Sequence, residues 1–287
     1  MIAAAPRSKP LALRRLLSRV ALCAFAAALL LVVLFPIYWM VVISLQERGK
    51  LFIYPPQLFP DTLRLTNYVD VFTQLGAPTW LRNSIVVSAA VIAISLPCSA
   101  LAAYALARLR LRITNPVMAL MLLTQMLPAT VLIIPLYLMF DAWHMVDSLV
   151  GLTLLYAATT IPVVTLMLQA FFKDIPLEIE EAALVDGCSQ LGTLGRVTLP
   201  LAVPGLISVT LYTFVLVWQE FVFAVSLISS SDNFVVSVAL AMTRQQYEVA
   251  WNQLMGTALI ASLPTLIIFL ALQRWLVTGL AEGGVRG

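Results

Sequence analysis

The sequence predicts an all-α, polytopic membrane protein with six transmembrane helices and with both termini in the cytoplasm. Three observations support this prediction: the composition, six long apolar segments, and the distribution of basic residues. Of the 287 residues, 61% are hydrophobic and only 11% are charged, whereas a soluble domain carries about 25% charged residues. The composition therefore places the chain among membrane proteins before any motif is considered.

Six apolar segments are long enough to cross a bilayer, because a span needs roughly 20 apolar residues. We place them near residues 20–45, 83–107, 116–140, 150–171, 202–228 and 255–276. The first segment follows a basic arm over residues 1–19 and resembles the core of a signal peptide. It is longer than the ~7–15 apolar residues of such a core and lacks a convincing cleavage site, so we keep it as a span. The transmembrane domain then covers residues 20–276.

Basic residues set the predicted orientation, since cytoplasmic loops of membrane proteins are enriched in Lys and Arg. Most of the 17 basic residues fall in cytoplasmic segments when the N-terminus is placed inside. The small net charge of +3 comes largely from the N-terminal arm. This distribution suits a lipid surface better than nucleic acid.

The sequence contains few residues suited to chemistry. The cysteines Cys23, Cys98 and Cys188 are scattered and odd in number, which argues against a disulfide framework or a metal site. The single histidine, His144, is expected to be an ordinary loop residue. The sequence has no phosphate-binding glycine loop and no metal-ligand spacing. We therefore predict that the chain is not an enzyme, and that any ATP hydrolysis driving it takes place on another chain.

Three polar segments between the spans are longer than tight turns. The outer loop over residues 46–82 contains three prolines within 55–60 and is predicted to be extended rather than helical. The outer loop over 229–254 is polar with interspersed aromatic residues. The inner segment over 172–200 has more acidic than basic side chains, which is unusual on the side of the membrane that favours Lys and Arg.

The inner segment is predicted to fold as two short helices. Asp174 can cap a first helix over residues 176–186, whose acidic first turn suits the positive end of the helix dipole. Gly187 provides the left-handed residue that ends this helix, and a second short helix leads to Leu199 and Pro200. Small side chains in the first helix would allow a close approach to a partner. The alternative is a solvated amphipathic connector.

The same segment carries a distinctive pattern: Glu-Ala-Ala at 181–183, then Gly187, then Val-Thr-Leu-Pro at 197–200. This pattern resembles the EAA signature of ABC importer permeases, with Val197 where the family usually has isoleucine. In that family the segment forms the coupling helices, which insert into a cleft of the ATPase subunit. The resemblance implies that Glu181 contacts the ATPase and that Gly187 sets the turn. It assigns the ATPase-coupling role to Glu181, Ala182, Ala183, Asp186, Gly187, Leu199 and Pro200.

Further residues resemble the carbohydrate permeases, and in particular the maltose-type second permease subunit. They are Asn67-Tyr68, Asn83-Ser84, residues 102–108, residues 134–137 and the glycine-rich cytoplasmic tail over 277–287. The resemblance implies the type I ABC importer transmembrane fold in the bacterial cytoplasmic membrane. It also implies a paralogous permease, two ATPases that bind ATP and Mg, and an extracytoplasmic sugar-binding protein. Without the family, the tail would be expected to be a disordered end.

Trp218, Gln219 and Glu220 are the candidate residues of the translocation path. Glu220 is the only acid that we place within a span, and an ionisable residue there is a functional candidate by default. The sugar permeases commonly carry a similar Trp-Asn-Glu-like sequence, and an aromatic ring beside hydrogen-bonding groups suits sugar recognition. The alternative is a structural polar contact with the partner permease.

Arg244, Gln245, Gln246 and Tyr247 are the candidate contacts with the binding protein. By resemblance, the outer loop over 229–254 corresponds to the loop that the maltose-type subunit inserts into the sugar cleft of its binding protein. The alternative is an outer loop without a specific partner.

These features together predict the permease subunit of an ABC importer that moves a sugar by alternating access. One alternative is a related permease for a glycerophosphodiester or a polyol. The absence of a centrally placed basic residue in the predicted spans favours a neutral solute over a phosphate-bearing one. A second alternative, a proton-coupled transporter that uses Glu220, would leave the EAA-like pattern unexplained. A membrane scaffold has no feature in its support.

Overall fold

The computed structural model describes residues 9–109, 112–243 and 250–283, with side chains over 16–109, 112–243 and 250–273. Within these residues the regular secondary structure is entirely helical. The helices are α1 (Lys9–Leu45), α2 (Thr66–Thr73), α3 (Ala77–Arg108), α4 (Thr114–Met126), α5 (Ala129–Ala142), α6 (Leu149–Lys173), α7 (Leu177–Val185), α8 (Gln190–Thr193), α9 (Leu199–Leu201), α10 (Val203–Gln219), α11 (Val222–Leu227), α12 (Val236–Met242) and α13 (Trp251–Gly283). A π-helical turn at Leu194–Thr198 joins α8 to α9, and 3-10 turns occupy Arg48–Lys50 and Ser231–Asn233.

The described helices account for up to six membrane spans, four of them single helices and two of them bent helix pairs. Four helices, α1, α3, α6 and α13, are long and apolar enough to cross a membrane by themselves. Two further spans are bent pairs: α4 with α5 at 97°, and Gln190–Leu201 with Val203–Gln219 at 80°. The predicted all-α polytopic fold is confirmed, and its six spans are reached when each bent pair is counted as one span.

Two predicted spans are interrupted where the sequence disfavours a continuous helix. The span predicted over 116–140 breaks at Leu127, which is extended because the residue before a proline is pushed out of the helical region. The span predicted over 202–228 breaks at Glu220, which has an extended backbone between α10 and α11. Each of these two spans is therefore built from more than one helix.

The outer loops contain more helix than predicted. The loop over 46–82 is irregular around its prolines, as expected, but its second half contains α2 and the start of α3. The loop over 229–254 likewise contains α12 and the first residues of α13. In α12 the apolar residues Val236, Val238 and Ala239 are buried. Packing against the spans therefore stabilises a short helix that a polar outer loop did not suggest.

The first and last helices extend into the predicted arm and tail. α1 begins at Lys9, within the basic arm predicted over 1–19. α13 continues to Gly283, within the tail predicted over 277–287. The arm and the tail thus merge into the first and last helices, while residues 1–8 and 284–287 lie outside the described part.

Helices α3 and α6 pack along each other and form the centre of the molecule. Near their predicted cytoplasmic ends, Tyr104 packs edge-on against Phe172, with ring centroids 6.5 Å apart. Small residues allow close approach of the backbones, and the Ser99 hydroxyl donates to the Ile161 carbonyl at 3.1 Å. A Cβ added to Gly205 of α10 would lie 2.5 Å from the Phe171 ring. The inner ends of α3, α6 and α10 therefore meet in close contact.

Candidate functional site

The predicted coupling segment over 172–200 begins with the short helix α7. This helix covers Leu177–Val185, close to the range predicted from the sequence. Its N-cap is Pro176, whereas Asp174 is the C-cap of α6. The prediction that Asp174 caps α7 is wrong, because the backbone of Asp174 still has the helical conformation of α6 (φ −73°, ψ −17°).

Gly187 makes the turn between α7 and α8. Its φ of +88° lies in the left-handed region that favours glycine. The N–H of Gly187 donates to the Leu184 carbonyl at 3.1 Å, and the N–H of Cys188 donates to the Ala183 carbonyl at 3.0 Å. These bonds satisfy carbonyls at the end of α7, so the local backbone fixes the direction in which the chain leaves the helix.

One side of α7 is open to the surroundings of the chain. Glu181, Ala182 and Asp186 are exposed and Ala183 is half-buried. The neighbouring Val185 is 87% exposed. This outer face of α7 offers carboxylates beside small and apolar side chains, a combination suited to a protein partner.

Glu180 lies on the opposite side of α7 and is 2% exposed. Its carboxylate accepts a hydrogen bond from Arg108 Nε at 3.0 Å and another from the Thr198 hydroxyl at 3.0 Å. The second branch of the Arg108 guanidinium donates to the carbonyls of Phe172 and Ile175, at 2.6 and 2.7 Å. A buried ion pair therefore joins α7 to the ends of α3 and α6.

Sequence analysis missed the pair of Arg108 and Glu180. The available signal was an arginine at the end of an apolar span, close in the predicted topology to an acidic loop. Glu180 and Glu181 are adjacent acids, and the family pattern includes only Glu181. Only the rotation of α7 about its axis distinguishes the two, and this rotation depends on tertiary packing.

Leu199 and Pro200 lie at the joint between the coupling segment and α10, and not on the outer face of α7. Leu199 packs against the inner cluster formed by α3 and α6. Pro200 is exposed within the short helix α9. The chain then bends by 80° into α10. These two residues are thus placed to shape the joint.

A cavity of ≈ 560 Å³ lies between α10, α12 and α13. Its lining is uncharged and includes Trp218, Gln219, Ser237, Ser262 and Thr265. Trp218 stacks on Phe214 at 5.1 Å, and its indole N–H donates to the Ala261 carbonyl at 3.1 Å. Gln219 is exposed. Two of the three predicted path residues therefore line a largely apolar cavity that also contains an amide and a few hydroxyl groups.

Glu220 does not line this cavity. Its carboxylate accepts hydrogen bonds from the Tyr156 hydroxyl at 2.6 Å and from the backbone N–H groups of Phe223 and Ala224, at 3.0 and 3.2 Å. Its backbone carbonyl accepts from the Ser237 hydroxyl at 2.6 Å. Glu220 thus caps α11 and bridges α6 to the break after α10. The contacts favour the structural alternative, with partners in the same chain.

The base of the second outer loop is held by Asp147, in the turn between α5 and α6, and by Asn83 of α3. The Asp147 carboxylate accepts from the backbone N–H groups of Ser229 and Ser230, each at 3.0 Å. Burial raises the pKa of Asp147, but the hydrogen bonds from the two serines outweigh it and leave the pKa below its usual value. The Asn83 amide donates to the carbonyls of Asp232 and Phe234, at 2.8 and 3.0 Å.

The predicted binding-protein contacts, Arg244 to Tyr247, lie outside the described residues. They are flanked by α12, which ends at Met242, and by α13, which begins at Trp251. The described structure therefore shows where the loop tip is anchored, and the role of the tip stays a prediction.

Groups suited to metal binding or redox chemistry are sparse among the described side chains. No three His, Cys, Asp or Glu residues in this part of the chain are arranged to hold a metal ion. Cys23 and Cys98 are exposed, Cys188 is half-buried, and all three are free. His144 lies in a turn with φ +55°.

Comparison with known proteins agrees with these features. The family model for binding-protein-dependent transport system inner membrane components matches residues 95–282. The inner membrane ABC transporter permease protein YcjP of Escherichia coli is 33% identical over 96% of this chain and 99% of its own length. The trehalose/maltose transport system permease protein MalG of Thermococcus litoralis is 31% identical over 94% of this chain and 98% of its own length.

A solved structure also shares the fold. A chain of a bacterial ABC transporter involved in the import of the acidic polysaccharide alginate superposes with a TM-score of 0.75, covering 94% of this chain and 99% of that one. At 22% identity, this likeness establishes the arrangement of helices and no more.

Proposed function

This chain belongs to the family of binding-protein-dependent transport system inner membrane components, and we propose that it is the permease subunit through which an ATP-driven importer moves a sugar. It is a multi-pass protein of the inner membrane. The observation that carries the proposal is the outer face of α7, exposed beside the turn at Gly187. In this mechanism an ATPase moves α7, and the spans alternate between outward and inward access.

The coupling role is supported by the chemistry of α7. Glu181 and Asp186 present carboxylates to a basic or donor-rich cleft, while Ala182 and Ala183 allow close approach. Leu184 and Val185 are 41% and 87% exposed and add apolar contact. We propose that two separate ATPase subunits bind ATP and Mg and that this chain binds neither.

The sugar class is supported by the relatives and by the cavity at Trp218. The relative from Thermococcus litoralis is named for trehalose and maltose. The cavity has an aromatic ring, an amide and several hydroxyl groups in its lining, and no charged side chain. Aromatic stacking with hydrogen bonds suits a neutral, hydroxyl-rich solute better than a phosphodiester. Proton coupling through Glu220 is disfavoured, because it would leave the EAA-like pattern over residues 181–200 unexplained.

The proposed assembly contains a paralogous permease and an extracytoplasmic sugar-binding protein. One chain supplies part of a path, and the cavity opens between α10, α12 and α13 rather than being closed by the chain itself. The outer loop tip at 244–247 is the proposed contact with the binding protein. Asp147 and Asn83 hold the base of this loop to the spans, which would allow a docked protein to act on the spans through the loop.

Transport by the complete complex tests this function. The chain, its paralogous permease, the ATPase subunits and the binding protein are reconstituted in liposomes containing ATP. Uptake of radiolabelled maltose and trehalose is measured with active and with hydrolysis-inactive ATPase subunits. We expect accumulation of at least one of these sugars only with the active ATPase. Uptake that persists with the inactive ATPase would exclude the ABC mechanism. ATP-driven uptake of a glycerophosphodiester or a polyol, with neither sugar taken up, would contradict the proposed substrate class.

A further inference from the structure

We propose that Arg108 and Glu180 form a rigid connection that carries the displacement of α7 into α3 and α6. The inference rests on the proposed function, because it assumes that an ATPase moves α7. The inference adds that the two adjacent acids of α7 face opposite sides of the helix and make different contacts. Glu181 faces the partner, and Glu180 faces the spans of its own chain.

A single side chain makes the connection. Arg108 is the last residue of α3, and its guanidinium contacts the Glu180 carboxylate together with the carbonyls of Phe172 and Ile175 at the end of α6. Glu180 also accepts from Thr198, in the π-helical turn that leads toward α10. One ion pair thus joins both central helices, the coupling helix and the approach to the next span.

The chemistry of this pair favours rigid transmission over sliding. The side chains of Arg108 and Glu180 are 11% and 3% exposed, so water screens them little. The planar guanidinium holds several acceptors in a fixed geometry, which a lysine ammonium cannot do. If α7 slid relative to α3, a buried carboxylate would lose its partner, and such a separation is strongly unfavourable. Displacement of α7, α3 and α6 as one unit keeps the pair intact.

Packing at the same level supports this unit. Tyr104 of α3 lies edge-on against Phe172 of α6, and Phe172 supplies one of the carbonyls that Arg108 binds. The Phe172 side chain is fully buried. The ion pair is therefore set into a close-packed cluster, which cannot deform continuously.

The first test separates the two acids by function in the complete reconstituted complex. Glu180→Gln keeps the shape and an acceptor for Thr198 but removes the charge that pairs with Arg108. We expect this complex to assemble and to hydrolyse ATP, while sugar uptake per ATP falls about two- to thirtyfold, the range of energetic coupling between sites. Glu181→Gln is instead expected to weaken retention of the ATPase. The matched control is Glu178→Gln, at an exposed acid in the first turn of α7, which we expect to leave assembly and uptake per ATP near those of the wild type.

The second test measures rigidity directly. Spin labels replace the exposed residues Leu177 at the start of α7 and Leu101 on α3, after the three native cysteines are changed to serine. Electron paramagnetic resonance then gives the distance between the labels without nucleotide and with ATP and vanadate. We expect one narrow distribution that is unchanged by nucleotide, and a broadened or shifted distribution once Glu180→Gln is introduced.

A second substitution covers the case in which Glu180→Gln does not assemble. Arg108→Lys keeps the positive charge but loses the fork that reaches the α6 carbonyls, and we expect it to show the same loss of uptake per ATP. Loss of assembly in both variants would overturn the proposal, because the pair would then be a folding contact only. Wild-type uptake per ATP in Glu180→Gln would also overturn it.

The outcomes also separate this inference from the proposed function. If the wild-type complex takes up sugar without an active ATPase, the proposed function fails. If the wild type is ATP-driven and the distance between the labels changes equally in wild type and Glu180→Gln, only the connection between Arg108 and Glu180 is wrong.

Discussion

Three glutamates show that the surroundings of a side chain, more than its residue type, set its role in this molecule. Glu181 is exposed on α7 and is available to a partner. Glu180, the next residue, is buried against Arg108. Glu220 accepts two backbone N–H groups at the start of α11. One residue step along α7 separates the proposed contact residue Glu181 from the connecting residue Glu180, and the Glu220 carboxylate caps a helix at a break in a span.

Removing the Glu220 carboxylate is expected to destabilise the chain. In Glu220→Ala the Tyr156 hydroxyl and two backbone N–H groups lose their acceptor, and each unsatisfied buried group costs about 1–3 kcal/mol. We therefore predict a lower thermal midpoint of the purified complex, followed by reduced uptake in proportion to the folded protein. Differential scanning fluorimetry in detergent measures the first effect, and transport normalised to folded complex measures the second.

The neighbouring Gln219 supplies the matched control for Glu220. Gln219→Ala changes an exposed residue that lines the cavity, so we expect an unchanged thermal midpoint with reduced sugar uptake. An unchanged thermal midpoint in Glu220→Ala would show that its carboxylate does not stabilise the break after α10.

At the scale of helices, glycine and proline in the sequence predict those turns and breaks that the local backbone determines. The turn at Gly187 follows from glycine's access to positive φ, and its φ of +88° agrees. The break at Leu127 likewise follows from the neighbouring Pro128, because the residue before a proline is pushed out of the helical region. The break at Glu220 has no such signal, because its stabilising partner Tyr156 lies 64 residues away. Likewise α12 forms because its apolar residues find a surface on the spans.

The tip of the second outer loop is expected to control the response to the binding protein. Replacing residues 244–247 with Gly-Ser-Gly-Ser leaves α12 intact, since that helix ends at Met242. We predict that ATP hydrolysis stimulated by the binding protein falls at least about fivefold, because a central interface residue contributes more than about 1 kcal/mol. Unstimulated hydrolysis is expected to stay unchanged.

A substitution on another outer helix controls for non-specific effects on this loop experiment. Thr73→Ala removes an exposed hydroxyl that bonds only within α2, to the Val69 carbonyl at 2.9 Å. We expect it to leave stimulation intact. Equal stimulation of the loop variant and the wild type would assign the binding-protein contact to a different outer surface.

At the scale of the whole molecule, the central pair of α3 and α6 contrasts with the peripheral α1. None of the most apolar window of α1 is buried within the chain, whereas half of the corresponding window of α6 is buried. α1 is anchored at its outer end, where the buried Asn67 amide donates to the carbonyls of Ser44 and Gln46, at 2.9 and 3.1 Å. The sequence predicted both helices as equal spans, because hydropathy reports apolar length and not whether lipid or protein surrounds it.

This contrast predicts that α1 tolerates reordering of its sequence. The large apolar side chains between Leu16 and Ile37 are 45–71% exposed, so shuffling residues 20–34 at constant composition should preserve the span. We expect sugar uptake within about twofold of the wild type, since surface changes usually alter free energies by about 0.5 kcal/mol or less. Asn67→Ala should instead lower the thermal midpoint, because it removes the bonds that join α2 to the outer end of α1 and to Asn252 of α13, which donates to Asn67 at 3.2 Å. If the shuffled chain no longer copurifies with the paralogous permease, then the exposed apolar surface of α1 is a specific interface with that subunit.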